Sequence, residues 1–475
     1  MLCGVLALQV VISMSQADNR GSDGLRILVI GGSDAGTSAA LRAREADSTA
    51  DVRVIVADTF PNFSICGLPF LLSGEVKDWR ALAHRTREDI EALRVNLRLA
   101  ETATAIDPVR KIVSTRGAEG TVHEHSYDRL VIGTGASPVR PGLPGADLPE
   151  VFTLHTMSEC FALQRYLDDG ARRAVIVGGG YIGLEVADAL RHRGLAVTLI
   201  EQLPGVLRTV DPPIGRLVED QLREHQVVVC TSTAVEAIVR TDEGLAVRCA
   251  GGFTAMGDFV LMAVGVRPQS ELAKSCGILC TERGAIRVDR MMRTSVPDIF
   301  AAGDCAVTWH RFLARDAYLP LGTTSHKQGR IAGENAVGGK REFAGSLGTQ
   351  SVKLFDHVVA ATGLRETEAS AYGFSPLAID IKANDHKAYY PGSSEMIVRI
   401  VGDRESGALL GAQLFGAHGK EVSKRIDIIA AALHQRMRVE ELNDLDLSYT
   451  PPLSSPWDPL QLAAQAWMAA REHSR

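Results

Sequence analysis

Short, mostly apolar runs recur along the first two thirds of the chain, and each is followed by a glycine turn or by an acidic residue. Such runs are typical of strands that are buried on both faces of a parallel sheet. Helical patterns alternate with them at Thr37–Ala46 and Leu154–Leu167. Strands that alternate with helices predict an α/β fold. The clearest runs are Ile27–Ile30, Val52–Ala57, Leu130–Ile132, Ala174–Val177, Val197–Ile200 and Val260–Val264.

Two stretches depart from this alternation. Trp79–Val95 is polar and amphipathic, which predicts a helical region, and short alternating strands follow it up to Ser114. From about Gly348 onward the pattern favours strands and then helices, as in a separate α+β unit. Its elements are predicted at Val352–Phe355, Met396–Val401 and Val422–Arg436, with a last helix from Asp458.

The composition excludes several classes of protein. The 475 residues are enough for about three domains, and the net charge of −6 leaves no basic surface for nucleic acid. The eight cysteines include no CxxC pair and no set spaced for zinc, so we predict no metal site. Scattered thiols are typical of a reducing compartment, and we expect a cytoplasmic protein.

The first 24 residues precede the first predicted strand. Their apolar run, Val5–Met14, follows no basic residue and is too short to span a membrane. We therefore predict a disordered extension over residues 1–24 and no membrane association. A weak signal peptide and a true start at Met14 are the alternatives.

The first glycine turn runs from Gly31 to Gly36, between a predicted strand and a predicted helix. Ser33 occupies a position where the dinucleotide-binding pattern has glycine. Asp58 ends the second strand, 22 residues after Gly36. An acid there can accept both hydroxyls of an adenosine ribose, while the helix N-terminus binds the pyrophosphate. The unit therefore predicts a dinucleotide site.

Two later strands also end in small residues, at Thr134-Gly135-Ala136 and at Ala302-Gly303-Asp304. Small residues let the backbone approach a ligand closely. Asp304 is then available to bind a polyol.

The second glycine turn, Gly178-Gly179-Gly180-Tyr181-Ile182-Gly183, is a complete GxGxxG between a predicted strand and a helix. Glu201 ends the next strand, 18 residues after Gly183. A glutamate there accepts ribose hydroxyls and repels a 2′-phosphate, which favours NADH over NADPH. Arg208 lies close by in sequence and keeps NADPH possible.

Cys66 lies just past the first nucleotide unit, where Gly67 and Pro69 are typical of a helix start. A thiol at a helix N-terminus faces unpaired N–H groups and a partial positive charge. Both lower its pKa, so Cys66 is predicted to be a reactive thiolate. The alternative is a buried structural cysteine.

Two dinucleotide units with a cysteine after the first resemble the flavin-dependent pyridine nucleotide–disulfide oxidoreductases. The resemblance extends from Leu25 to the C-terminal region and includes Val264-Gly265-Val266-Arg267-Pro268. It implies an α/β protein with two Rossmann-like dinucleotide-binding domains and a C-terminal α+β dimerisation domain. The implied boundaries are 25–150 with 266–345 for FAD, 151–265 for NAD(P)H, and 346–475 for dimerisation.

The resemblance also implies which residues hold each cofactor. Tyr181 would cover the nicotinamide site, and Glu185 would lie near the flavin. The implied FAD residues are Gly31, Gly32, Ser33, Ala35, Gly36, Asp58, Ala103, Thr134, Gly135, Ala136, Gly303, Asp304, Gly322 and Thr323. Those implied for NADH or NADPH are Gly178, Gly180, Tyr181, Ile182, Gly183, Glu185, Glu201 and Gly265.

Two differences from the dithiol members indicate the single-cysteine branch of the family. Leu71 stands where a dithiol member has its second cysteine, and Tyr449-Thr450-Pro451-Pro452 replaces their His–Glu pair. In the single-cysteine branch, tyrosines of one subunit reach the cysteine of the other. The resemblance therefore implies a homodimer in which Tyr390 and Tyr449 act with Cys66.

The branch implies that electrons pass from NAD(P)H through FAD to Cys66, and then to a small disulfide or persulfide such as CoA disulfide. Asp34 stands where NADH oxidases and peroxidases carry histidine, which argues against oxygen or peroxide as acceptor. Ile65 stands where CoA-disulfide reductases often have asparagine. The alternatives are an NADH oxidase or peroxidase, a reductase of metal or metalloid species, and an electron-transfer reductase for a partner protein.

Overall fold

A computed structural model describes residues 24–473 of the chain. The predictions for the N-terminal extension and for a start at Met14 lie outside the described residues. Among the helices between residues 24 and 473, none is long and apolar enough to cross a membrane.

Strands and helices alternate through the first half of the chain. Up to residue 150 the elements are β1 (Arg26–Ile30), α1 (Asp34–Ala46), β2 (Asp51–Val56), α2 (Leu68–Ser73), α3 (Arg87–Ala92), β3 (Val95–Leu99), β4 (Glu101–Asp107), β5 (Ile112–Gly117), β6 (Val122–Ser126), β7 (Arg129–Ile132) and β8 (Ala136–Pro138). From there to residue 265 they are β9 (Val151–Phe152), α4 (Met157–Asp168), β10 (Arg173–Val177), α5 (Tyr181–His192), β11 (Ala196–Ile200), α6 (Pro212–Glu224), β12 (Val227–Cys230), β13 (Val235–Thr241), β14 (Gly244–Cys249), β15 (Thr254–Gly257) and β16 (Phe259–Met262).

The second half contains a short mixed segment and then longer strands. Between residues 266 and 345 lie β17 (Val266–Pro268), α7 (Glu271–Ser275), β18 (Ile299–Ala301), β19 (Thr308–His310), β20 (Arg315–Ala317) and α8 (Gly322–Ala336). The remainder forms β21 (Gln350–Leu354), β22 (His357–Gly363), α9 (Glu366–Ala371), β23 (Pro376–Asn384), β24 (Glu395–Asp403), β25 (Leu409–Ala417), α10 (Val422–His434), α11 (Val439–Asn443) and α12 (Pro459–His473).

Two five-stranded parallel sheets organise the nucleotide units. The first has the order β18-β7-β1-β2-β3, so the segment after residue 265 returns to complete it. The second has the order β12-β11-β10-β16-β9. Four of the five residues of β1 are buried, which is why its sequence is apolar without alternation.

The C-terminal segment forms an antiparallel sheet in the order β21-β22-β25-β24-β23. Helices α10 and α12 cover one face, and Trp467 of α12 is fully buried there. Its indole N–H donates to the carbonyl of Leu377, at 2.8 Å. The predicted fold class, two Rossmann-like units followed by an α+β unit, is confirmed. The domain boundaries given above stay predictions.

The predicted helical region over Trp79–Val95 is wrong in its extent. A 3₁₀ turn covers Trp79–Leu82, and α3 begins separately. Thr86 accepts a hydrogen bond from the Asp89 N–H while Asp89 accepts one from the Thr86 N–H, a capping box that starts a new helix. Arg94, at φ +57°, lies just past the helix end, so the amphipathic pattern yields two short pieces.

A buried ionic cluster joins the second parallel sheet to the C-terminal sheet. Arg399 Nε lies 3.1 Å from Asp211 Oδ2, and both side chains are almost completely buried. The other guanidinium nitrogens contact Glu366 at 2.6 Å and Asp380 at 2.7 Å. Gln413 Nε2 donates to Asp211 Oδ2 at 2.7 Å. Arg399 and Asp211 can stay buried because they are paired with each other, while Glu366 and Asp380 remain more than two-fifths exposed.

Candidate functional site

The first glycine turn joins β1 to α1 through contacts that leave no space for a side chain. Gly31 has φ +110°, and a Cβ there would lie 2.1 Å from the Gly133 carbonyl oxygen. A Cβ on Gly36 would lie 1.9 Å from the Gly31 oxygen. Ser33 precedes α1 and makes no side-chain hydrogen bond to its first turn. The N–H groups of that turn therefore remain available to a phosphate.

Residues from three distant segments surround this turn. A Cβ on Gly303 would lie 2.7 Å from the Cβ of Ala35, so the end of β18 touches α1. Asp304 follows, and its carboxylate accepts a hydrogen bond from Ser325 Oγ of α8 at 2.9 Å. Burial raises the pKa of Asp304. A partly buried acid beside a helix N-terminus fits a site for a polyol and its phosphates, as FAD requires.

The other residues predicted for FAD lie at the edges of this site. Asp58 follows β2 and accepts a hydrogen bond from the Thr59 N–H at 2.6 Å. Ala103 lies in β4 at a register shift. Thr134 Oγ1 donates to the Gln269 carbonyl at 2.6 Å, which holds the turn through Gly135 and Ala136 next to β17.

Gly322 and Thr323, the remaining residues predicted for FAD, lie at the start of α8 but have different neighbours. A Cβ on Gly322 would lie 3.2 Å from Asp34 Oδ2, so Gly322 borders the first glycine turn. Thr323 instead lines a groove of about 370 Å³ between α8 and α10. Nothing in these contacts assigns the Thr323 side chain to the dinucleotide site.

The second glycine turn opens onto a cavity of about 620 Å³. Gly178 has φ +111°, and a Cβ there would lie 2.3 Å from the Ala263 oxygen. Gly180, by contrast, has no atom within 4 Å of its Cβ position, so its surface is free for a ligand. Tyr181, Ile182 and Gly265 line the same cavity. Its strand, glycine turn and helix fit the nicotinamide dinucleotide.

Glu201 is held at the floor of this cavity. Its two carboxylate oxygens accept hydrogen bonds from the N–H groups of Gly179 at 2.7 Å and Leu203 at 2.8 Å. Arg208 lines the cavity as well. The negative charge of Glu201 is thus positioned beside the glycine turn, where a ribose would lie.

Cys66 lies in a 3₁₀ turn, Ile65–Gly67, immediately before α2. The predicted helix start is confirmed, and α2 packs against α5 of the second unit. Burial raises the pKa of Tyr181 to about 12, and charges at Asp304, Cys66 and Glu185 add to the effect. These groups, drawn from both units, therefore share one cleft.

The prediction that the helix start lowers the pKa of Cys66 is wrong, because burial and the surrounding side chains raise this pKa. Cys66 is solvent-accessible, but the surrounding protein removes much of the water near its thiol. This desolvation is the largest cause that raises its pKa to about 11. The carboxylates of Glu185, Asp34 and Asp304 also raise it, while the Cys66 N–H lowers it. Burial and the three negative charges together outweigh one turn of helix dipole.

A charge network from the C-terminal sheet reaches the same cleft. Burial and the charge of Asp188 raise the pKa of Glu185, and Lys353 lowers it. The net result is a pKa of about 7. Lys353 Nζ lies 3.1 Å from Glu75 and 3.4 Å from Asp188. The sequence analysis assigned no role to Lys353 or Asp188, and no local pattern could have done so because they are 165 residues apart.

Tyr390 and Tyr449 lie together on the C-terminal unit, where both are more than two-fifths exposed. Their loops are joined by a hydrogen bond from the Lys387 N–H to the Pro451 carbonyl, at 3.3 Å. Desolvation and the neighbouring Tyr449 both contribute to a raised pKa of Tyr389. The Tyr390 ring meets the His386 ring of its own loop edge-to-face, with centroids 5.8 Å apart.

Comparison with known families decides the identity of this arrangement. The profile of the pyridine nucleotide-disulphide oxidoreductases matches residues 25–329, and that of their dimerisation domain matches residues 349–459. The chain belongs to this family. It is an oxidoreductase that uses FAD and NAD(P)H.

Individual relatives of this oxidoreductase cover nearly its whole length. It is 34% identical to the NAD(P)H sulfur oxidoreductase (CoA-dependent) of Pyrococcus abyssi over 446 residues, which cover 92% of this chain and 97% of the relative. It is 32% identical to an NADH oxidase of Methanocaldococcus jannaschii over 444 residues, covering 93% and 98%. The structure of an NAD-dependent persulfide reductase from A. fulgidus is similar with a TM-score of 0.91, at 36% identity, covering 94% of this chain and 84% of that one.

Glu185→Gln should make Cys66 of the FAD-depleted oxidoreductase more reactive, because it removes a negative charge that raises the thiol pKa. Glu185 is itself protonated below its pKa of about 7, so variant and wild type should react equally at pH 6. Above pH 7 the variant should be alkylated by iodoacetamide about threefold to tenfold faster. Mass spectrometry of the Cys66 peptide measures the rate. Glu282→Gln, at an exposed site, is the control, and equal rates at pH 8.5 would contradict the charge effect.

Glu201→Ala should narrow the preference for NADH, because the carboxylate no longer repels a 2′-phosphate. We expect the ratio of kcat/KM for NADH to that for NADPH to fall by at least about tenfold. Arg208→Ala is the informative counterpart, since removing a cation should weaken NADPH use alone. A wild-type enzyme that clearly favours NADPH would rule out this role for Glu201.

Proposed function

We propose that the enzyme uses NADH to reduce a small disulfide or persulfide, such as CoA disulfide, through Cys66. The observation that carries the proposal is the position of the cysteine. Cys66 precedes α2, which packs on α5, and its thiol shares a cleft with Tyr181 and Asp304. It therefore lies between the glycine turn predicted for FAD and the one predicted for the nicotinamide.

The chain's residues support distinct parts of this reaction. FAD, when bound, supplies the transfer of hydride equivalents from nicotinamide to sulfur. The turn from Gly31 to Gly36 and Asp304 would hold that cofactor, and Gly178–Gly183 with Glu201 would orient the nicotinamide dinucleotide. Glu185, with a pKa of about 7, is suited to hold or release a proton beside the cleft at neutral pH.

The sulfur chemistry at Cys66 is a thiol–disulfide exchange. Its thiolate attacks one sulfur of the disulfide, a Cys66–substrate disulfide forms, and the first substrate thiolate leaves with a proton. Two electrons from NADH then cleave the mixed disulfide, and the second thiolate takes up a proton as Cys66 returns to its starting state. The balance is one disulfide, one NADH and one proton to two thiols and NAD⁺.

We further propose that the enzyme acts as a homodimer with shared sites in the cytoplasm. Tyr389, Tyr390, Tyr449, Leu453 and Trp457 are between 42% and 73% exposed on one unit, an unusual density of large apolar side chains. The match of residues 349–459 to a dimerisation domain supports a second copy as what covers them. A tyrosine hydroxyl delivered by that copy could protonate the leaving thiolate. The seven free cysteines of residues 24–473 support a reducing compartment.

The relatives' names divide between sulfur and oxygen as acceptor. The Pyrococcus abyssi protein is named for sulfur and CoA, and the Methanocaldococcus jannaschii protein is named an NADH oxidase. Sulfur is favoured here because Asp34 stands where the oxidases carry histidine. Rapid NADH consumption in air, without added disulfide, would instead favour the oxidase, which is the second candidate.

Cys66→Ser should abolish reduction of CoA disulfide while leaving flavin reduction by NADH intact, because both glycine turns and Asp304 are unchanged. In an anaerobic NADH titration, the variant should lose the additional reducing equivalents that a redox-active cysteine takes up. The neighbouring Ser64→Ala is a matched control and should behave as wild type. If Cys66→Ser keeps full turnover with its best acceptor, electron transfer to a partner protein replaces the thiol mechanism.

Combining two inactive subunits should restore activity if the sites are shared. A heterodimer of Cys66→Ser with Tyr449→Phe contains one composite site with both groups intact, so about half of wild-type activity is expected. The two chains are co-expressed with different tags, and the doubly tagged species is purified and assayed. A heterodimer no more active than its parents, or a fully active monomer in sedimentation, would disprove sharing.

A further inference from the structure

Three side chains from separate segments meet at the start of α1. Asp34 is the first residue of α1, His326 lies in the second turn of α8, and His84 follows the 3₁₀ turn Trp79–Leu82. The backbone N–H of His84 donates to the Asn62 carbonyl at 3.0 Å, which ties its loop to the segment that leads to Cys66. The possible ligand atoms of Asp34, His84 and His326 all lie within 4.8 Å of one another.

Two of the separations between these atoms are close to those in a zinc site. Two ligands, each about 2.0–2.1 Å from a tetrahedral zinc ion, are about 3.3 Å apart. His326 Nε2 lies 3.4 Å from Asp34 Oδ1, and His84 Nε2 lies 3.9 Å from the same oxygen. The first pair needs no movement to share an ion, and the second needs a few tenths of an ångström. The two rings stand at 78° to each other with centroids 5.6 Å apart.

The oxygen at the centre of this cluster lacks a hydrogen bond. Asp34 Oδ1 is buried, and within residues 24–473 no group donates a hydrogen bond to it. Both histidine contacts exceed the length of an N–H···O bond. An unsatisfied buried carboxylate oxygen is costly, and a cation bound between it and the two imidazoles would satisfy it.

A further contact orients one of the histidines. Ser38 Oγ lies 2.9 Å from His326 Nδ1, on the ring edge away from Asp34. A histidine that binds a metal through Nε2 commonly has its Nδ1 fixed by such a partner, which sets the tautomer and the ring plane. Ser38 is one turn beyond Asp34 on α1, so one helix supplies both a ligand and the group that orients another.

We propose that Asp34, His84 and His326 form a binding site for a divalent transition-metal cation of the zinc class, with an open coordination position. Two imidazole nitrogens favour zinc, copper or nickel over magnesium or calcium, which prefer oxygen. The sequence analysis predicted no metal site because it searched for spaced cysteines, whereas these ligands come from positions 34, 84 and 326. Asp34 is also one of the carboxylates that raise the pKa of Cys66, so a cation here would act on the same cleft.

The test is titration of Zn²⁺ into the full-length, FAD-loaded protein by isothermal calorimetry. Every protein in the test carries the background substitution Cys66→Ser, so the reactive thiol cannot bind the ion. The result is therefore independent of the proposed function. We expect one equivalent that His84→Gln and His326→Gln each weaken by at least about tenfold, and that Ser38→Ala weakens by about tenfold or more. His123→Gln, an exposed histidine on β6, is the matched control and should bind as the background does.

Retained FAD absorbance shows that each variant is folded, and Asp34→Asn provides a further ligand variant of the same size. Loss of the equivalent in the ligand variants, but not in His123→Gln, supports the site. The proposal is overturned if the background protein binds no Zn²⁺, or if the ligand variants bind it with unchanged affinity.

Discussion

The oxidoreductase depends on two places where the backbone approaches itself more closely than a Cβ allows. At Gly31 and at Gly178 a methyl group would lie 2.1 Å and 2.3 Å from a carbonyl oxygen of the neighbouring strand. Because glycine permits these contacts, the first turn of each following helix lies directly over the end of its sheet. The free amides of α1 and α5 thereby lie at the two predicted nucleotide positions. The packing of α2 on α5 then brings Cys66 between them, so the site's geometry follows from these two contacts.

Electrostatics determines what the cysteine can do in this position. Burial and the carboxylates of Glu185, Asp34 and Asp304 raise the pKa of its thiol to about 11, which disfavours the thiolate. Anything that offsets those charges favours the thiolate, and the protein has two such means. Glu185 is half protonated near pH 7, and Asp34 lies beside two histidines. The reactivity of Cys66 is therefore set by its neighbours on other segments more than by its own helix.

Local patterns predicted the local features well. The strands and both glycine turns could be read from the sequence because apolar runs, glycines and terminal acids lie within about 30 residues of each other. The helix over Trp79–Val95 could not, because the capping box at Thr86 divides an otherwise suitable pattern. The pKa of Cys66 was predicted in the wrong direction because its burial in the cleft is a property of the folded chain, and the carboxylates that also raise it come from positions 34, 185 and 304. Lys353 with Asp188, and Asp34 with both histidines, are likewise contacts that only the folded chain reveals.

The buried Arg399–Asp211 pair restrains how the second unit can move. Two chain segments connect the second unit to the first, and they pair with each other as the antiparallel ribbon of β8 and β17. A ribbon of this kind would serve as a hinge if nothing else held the unit. Arg399 holds it on the C-terminal unit as well, because its buried guanidinium lies 3.1 Å from Asp211 of the second unit. A wide swing of the whole unit would therefore have to separate Arg399 from Asp211 as well as bend the ribbon, so the second unit is tied to the rest of the chain at two separate places.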